Sequence, residues 1–123
     1  MAAEGGGMST SDPATLADTY FRSWVARDEQ GLRSVLAPDA DFAGPLGTAE
    51  GVDACVAGLV GMARILDDVA VLHRWIDGDD VLTWFELRTT VAPPTPVANW
   101  MHLSGGRIAR IRVTFDPREI VAA

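Results

Sequence analysis

The chain has 123 residues, contains no lysine and has a single cysteine. Its ten basic residues are all arginine, set against 17 acidic ones, and the formal net charge is -7. There is no basic excess to neutralise phosphates, so a nucleic-acid partner is not expected. The lone thiol, Cys55, cannot close an intrachain disulfide and fits a reducing, cytoplasmic compartment. No apolar run approaches the ~18 residues of a membrane span, so no membrane partner is expected either. The two histidines, His73 and His102, stand far apart, with no cysteine cluster or regular acidic spacing beside them. The expectation is therefore no metal and no cofactor. Residues 1–10 open Met-Ala-Ala-Glu-Gly-Gly-Gly, lack the charged start and apolar core of a secretory signal, and read as an unstructured lead or expression remnant.

What the chain does have is an apolar content of 48% and length enough for one core, expected as a single domain over residues 11–123. Ser11-Asp12-Pro13 is a helix start, a capping side chain followed by proline at the first helical position. Leu16, Tyr20, Trp24 and Val25 then recur at helical spacing to about Arg27. A short second helix begins at Asp28-Glu29-Gln30, buries Leu32, Val35 and Leu36, and is expected to end at Pro38. Ala40-Asp41-Phe42 reads as a short edge strand and Gly44-Pro45-Leu46-Gly47 as a loop. A third helix starts near Gly51 with Val52, Val56, Leu59, Val60 and Ala63 on one stripe; Gly58 and Gly61 suggest close packing on a sheet. Four strands in meander order follow: Asp68 to Ile76, Val81 to Val91, and a final pair flanking Ser104-Gly105-Gly106. Three helices followed by a hairpin-rich sheet is an α+β pattern.

Tyr20-Phe21-Arg22-Ser23-Trp24, Asp39-Ala40-Asp41-Phe42, Gly51-Val52-Asp53-Ala54, Gly105-Gly106-Arg107-Ile108 and Phe115-Asp116-Pro117, in this order, resemble the nuclear transport factor 2-like superfamily. The branch most similar is that of the SnoaL-like polyketide cyclases and ketosteroid isomerase. The resemblance implies a cone-shaped roll of three N-terminal helices on a curved, mixed, mostly antiparallel sheet. It also implies sheet-to-sheet dimers. By the same resemblance Tyr20 falls where the isomerase has its oxyanion tyrosine, and Asn99 where it has a protonated aspartate donor. Gly44 falls where the isomerase has its general base, and Val113 where the cyclases have their acid/base aspartate. Neither Gly44 nor Val113 can move a proton.

Tyr20 and Asn99 form a candidate donor pair for a carbonyl or enolate oxygen. His102 is the candidate base by its ordinary pKa, with Asp41 as a further proton carrier. Strand alternation opposes His102, since Asn99, Met101 and Leu103 share one face while Trp100 and His102 share the other. A small hydrophobic ligand is expected between helices and sheet, lined by Trp24, Phe42, Val56, Leu59 and Val60. Phe85, Met101, Leu103, Val113 and Phe115 complete that expected wall. Trp84, Arg88, Trp100, Arg110 and Arg112, with Glu86, His102 and Trp75, make an outer face of interface composition, expected to form a homodimer. Asp116 is expected to hold the C-terminal turn. Three functions fit: an isomerase or cyclase acting on a polyketide- or steroid-like carbonyl compound, a noncatalytic binding or dimerisation module, and, from Glu86-Leu87-Arg88 with Asp116, an epoxide hydrolase.

Overall fold

Two short helices, a hairpin, a third helix and a four-strand meander follow one another in a computed structural model that describes residues 12–122. The lead expected over residues 1–10 lies outside the described residues. Helix α1 (Pro13–Ala26) begins as its cap chemistry dictates: Asp12 accepts from the Thr15 N–H at 3.2 Å, and Pro13 takes the first turn. It stops at Arg27, whose left-handed backbone (φ 58°) lets its N–H close on the carbonyls of Ser23 and Trp24. Helix α2 (Glu29–Val35) is capped by Asp28, which accepts from the Gly31 N–H at 3.0 Å. A Cβ at Gly31 would lie 2.2 Å from Ser23 Oγ, so the close approach of α1 and α2 requires glycine.

Helix α2 ends at Val35, three residues before the proline expected to stop it, and runs directly into β1 (Leu36–Gly44). Pro38 and Asp39 fall in the gap between the paired positions Leu36 and Asp41, where β1 skips its register with the neighbouring strand. A proline without an N–H can lie in a strand at such a place. The loop expected over Gly44–Gly47 is instead a tight reversal into β2 (Gly47–Glu50), with Gly44 paired to Gly47. Helix α3 (Val52–Ala63) follows. Its Gly58 and Gly61 pack against nothing: a Cβ at either would meet no atom within 4 Å, contrary to the close packing expected of them.

The meander is β3 (Leu66–Asp77), β4 (Asp80–Thr89), β5 (Thr95–Ser104) and β6 (Arg107–Thr114), closed by the single turn α4 (Arg118–Val121). The strand order is β2-β1-β6-β5-β4-β3, antiparallel throughout except where β1 runs parallel to β6. The first strand is therefore interior to the sheet, not an edge. Gly105 and Gly106 both take positive φ (61° and 78°), the geometry of a two-residue hairpin turn. Register shifts in β1, in β3 and at the β5–β6 turn bend the sheet around the helices. The shift after His102 makes Ala109 the extra residue, so Ile108 packs inside opposite Leu103, whereas unbroken alternation would have put Ala109 there.

Along β4 and β5 the alternation is regular. Val81, Thr83, Phe85 and Leu87, and Val97, Asn99, Met101 and Leu103, are buried beneath the helices, while Leu82, Trp84, Trp100 and His102 face outward. Phe21 of α1 joins the layers, its ring 5.1 Å edge-on from both Tyr20 and Phe85. Among the described residues no helix is long and apolar enough to cross a membrane. The architecture is the α+β cone: helices on one face of a curved, mixed, mostly antiparallel sheet.

Candidate functional site

The space between α1, α3 and the sheet is not filled. A cavity of about 340 Å³ remains, within the range of small-molecule sites. Its deep end is lined by the buried residues Tyr20, Trp24, Cys55, Leu59, Phe85, Leu87 and Val97. Its rim is the exposed β1–β2 turn, Pro45 to Thr48, with Gly58 and Met62 of α3 opposite. The bare Gly58 leaves that side of the rim open.

Each polar group of the wall has a specific state. Trp24 spends its indole N–H on the Leu59 carbonyl at 2.8 Å, which pins α1 to α3 and leaves only its ring for the cavity. The Cys55 thiol points to the carbonyls of Ala40 (3.5 Å) and Ala49 (3.9 Å). Burial, with Asp41 adding a little, pushes its pKa above the ordinary thiol range, so it stays a thiol. Tyr20 is 1% exposed, and burial, helped by the neighbouring Cys55, drives its pKa far above that of a free phenol. It is therefore a neutral hydroxyl able to donate. None of the lining residues is Asp, Glu, His or Arg.

The two positions at which the family resemblance locates proton transfer converge. Gly44 and Val113 both line the cavity, and a Cβ built on Gly44 would stand 3.4 Å from Val113 Cβ. The spot is apolar from both sides.

Of the residues expected in the wall, Tyr20, Trp24, Phe42, Leu59, Phe85, Val113 and Phe115 line the cavity. Val56, Met101 and Leu103 instead pack in the closed part of the core, and Val60 lies against it, half-buried. Met101 and Leu103 have the correct parity but sit toward the β5–β6 turn, where the cone is filled. Asn99 is inside, 2% exposed, but behind the wall; its cross-strand partner Val113 and its same-face neighbour Val97 are the lining residues. Its carboxamide Oδ1 is buried without a hydrogen-bond partner among the described residues.

His102 stands on the opposite side of the sheet, as alternation requires. Its Nδ1 lies 2.9 Å from Asp80 Oδ1, which also accepts from the Trp100 indole N–H at 3.0 Å. These two contacts hold Asp80 below the usual carboxylate range. Asp41 is on that face too, bridged to Arg112 and 3.5 Å from Arg110, and its pKa is lowered chiefly by Arg112. Neither His102 nor Asp41 reaches the cavity, so neither can serve as its base. Asp116 grips Arg118 through both oxygens and is lowered to about 2 by that contact; it holds the terminal turn as expected. Glu86 and Arg88 pair with each other on the outer face at 2.9 Å, away from the site an epoxide hydrolase would need. Sequence reasoning missed Cys55, Thr48 and the Pro45–Leu46 rim. The signal for Thr48 and the rim lay in the Gly-Pro-Leu-Gly stretch, which reads as a hairpin turn once the following residues are taken as a strand, and that for Cys55 in its position one helical turn before Leu59 on α3.

A family model described as the SnoaL-like domain matches residues 17–111. Among solved structures, a Kribbella flavida protein is 29% identical, with a TM-score of 0.82 over 93% of both chains. A nuclear transport factor 2-like protein of unknown function from Cytophaga hutchinsonii is 18% identical, TM-score 0.80, over 93% of this chain and 98% of its own. A Sinorhizobium meliloti protein with a provisional polyketide cyclase name is 23% identical, TM-score 0.74, over 80% of this chain and 92% of its own. No curated protein matches. The cone, its cavity and the span of the match agree: the chain belongs to the SnoaL-like domain family, within the nuclear transport factor 2-like fold.

Proposed function

We propose that the cone binds a small, uncharged, hydrophobic carbonyl compound, polyketide- or steroid-like, with the Tyr20 hydroxyl donating to its carbonyl oxygen. The supporting observation is an apolar cavity whose deep end carries a neutral phenol and no ionisable acid or base at neutral pH. A charged ligand would lose its hydration there without compensation, whereas a ketone gains a donor. Isothermal titration with the ketone acetonaphthone and its hydrocarbon counterpart ethylnaphthalene tests this. The ketone should bind more tightly, and Tyr20→Phe should abolish the preference. Equal affinity for the two in the wild type would sink the reading.

The second reading is enolisation of such a ligand, an isomerase or cyclase activity. In its favour stand the buried, neutral Tyr20 hydroxyl and the buried carboxamide of Asn99, whose O–H and N–H2 are donors of the kind a developing oxyanion needs. With Gly44 and Val113 apolar, the proton must travel by water or by a group on the substrate. Exchange of the acetonaphthone methyl protons in deuterated water, faster with protein and slowed by Tyr20→Phe, separates this reading from binding alone.

The outer sheet face is proposed to join a second copy. Trp75, Leu82 and Trp100 occupy one cross-strand row and Trp84 the next, and Trp75 is 55% exposed. Asp77, Asp79 and Asp80 lie toward the β3–β4 end and Arg110 and Arg112 on β6, so a two-fold axis through the face brings acid over base. Native mass spectrometry should show a dimer that Trp84→Glu dissociates.

A further inference from the structure

Two buried polar atoms have no partner among the described residues: Nη2 of Arg74 and Oδ1 of Asn99. One can only donate and the other only accept. They belong to one cross-strand row, for Arg74 pairs with Thr83 and Thr83 with Asn99. All three side chains lie on the helix side of the sheet. Thr83 is fully buried, and its Oγ1 accepts from Arg74 Nε at 3.1 Å, so the guanidinium is already drawn along the row toward Asn99. Asp18 of α1 holds the Nη1 end, and the Phe21 ring, 5.8 Å from the guanidinium carbon, covers the group from above. What remains free of the fork is the Nη2 edge.

We propose that Arg74 is a positioning residue for Asn99, joined to its carboxamide oxygen through a buried water. Leaving a charged N–H and an amide oxygen both unmet in the core is costly, and one water with two such partners relieves both. The chemistry then fixes the amide. The water accepts from Arg74 Nη2 and donates one of its hydrogens to Oδ1, the carboxamide atom that lacks a partner, which keeps the oxygen of Asn99 on the row side. The N–H2 is turned the other way, toward Val97 and Val113, which line the cavity. The N–H2 then stands directly behind the Val97–Val113 wall, a second donor that a ligand meets where it parts those two side chains, held by a charge that never enters the cavity. The proposal rests on the carbonyl-binding reading for its purpose, though not for its geometry.

Asn99 is the only asparagine, and Gln30 the only other side-chain carboxamide. Its N–H2 resonances can therefore be followed in the ligand-free protein by nitrogen-15 NMR. In the wild type they should be a single sharp pair with nuclear Overhauser contacts to the Val97 and Val113 methyls; in Arg74→Leu those contacts should vanish or the pair should broaden. If Arg74→Leu does not fold, Arg74→Lys, which keeps a cation for Asp18, is read in its place and should give the same loss. With acetonaphthone, Arg74→Leu should weaken binding roughly fivefold while ethylnaphthalene affinity holds. In an Asn99→Leu background the Arg74 substitution should add nothing. The infrared carbonyl stretch of the bound ketone should rise in Arg74→Leu, a shift that a merely structural role would not produce. Amide contacts unchanged by losing Arg74, beside an intact ketone preference, would overturn Arg74's part alone. No ketone preference in the wild type would overturn the carbonyl reading, and the donor role with it.

Discussion

The two faces of one sheet share strands and backbone yet hold opposite chemistry. Toward the helices, β4, β5 and β6 present Phe85, Leu87, Val97 and Val113 around a cavity in which nothing titrates near neutrality. Away from them, the same strands present Trp84, Trp100, His102, Arg110 and Arg112, with Asp41 and Asp80 fixed among them. No His or carboxylate lines the apolar cavity; Asp39, Asp41 and Glu50 instead line a separate, polar hollow beside β1 and β2. Function lives in the site and not in the fold, and this sorting keeps the apolar cavity apart from the groups able to move protons. It makes a carbonyl-binding cone easier to justify than a proton-abstracting one.

The comparison breaks most severely if a large side chain is deleted from each face. Phe85→Ala removes a ring that seats Phe21 and walls the cavity, and should cost about 3–5 kcal/mol by the urea midpoint. Trp84→Ala, one residue earlier on the same strand and on the opposite face, should cost under about 1 kcal/mol of folding stability in the monomer, since Trp84 is 37% exposed. Comparable losses would mean that the outer face is as much core as the inner one.

A smaller intervention carries the outer chemistry inward. Gly44 has an ordinary backbone and lines the cavity, so Gly44→Asp needs only that Phe42 and Val113, 3.3 and 3.4 Å from the new Cβ, give slightly. The cost should be about 1–3 kcal/mol. The carboxyl, short of water and cations, should titrate above the ordinary aspartate range. Deuterium exchange into acetonaphthone should then exceed that of the wild type at pH 7. No gain would show that the missing base is not what limits this cone.

These contrasts were largely legible in the sequence because they rest on period two. The alternation through Asn99-Trp100-Met101-His102-Leu103 assigned both faces of β5 correctly, and the paired glycines marked the last hairpin. Legibility failed where the period breaks or depth matters. The bulge at Ala109 swaps it with Ile108, an event dictated by the turn and not by either residue. Pro38 resembled a helix stop because its tolerance inside β1 depends on a register gap with β6, a partner some seventy residues later. Parity also cannot say how far down the cone a residue sits. Asn99, Met101 and Leu103 all point inward, yet none reaches the cavity, since the filled end of the cone is set by how the helices close over it. The family resemblance marks Gly44 as a vacant base position, but only the parallel pairing of β1 with β6 makes it the neighbour of Val113.

The least invasive test leaves the sequence alone and changes pH. Asp41 and Asp80 have folded pKa values lowered by Arg112 and by His102, respectively. A depressed carboxylate stabilises the fold above its unfolded pKa, and that contribution disappears as pH falls through the folded value. The melting temperature should therefore be level at mild pH and decline below about pH 4, and Asp41→Asn should flatten the decline. Inside, burial raises both Tyr20 and Cys55, so neither changes charge across the same window. Acetonaphthone affinity should accordingly stay constant from about pH 5 to about pH 8. A sigmoid in that range would reveal a titrating group in contact with the ligand, restore the case for a proton-transfer enzyme, and cancel the separation between the two faces.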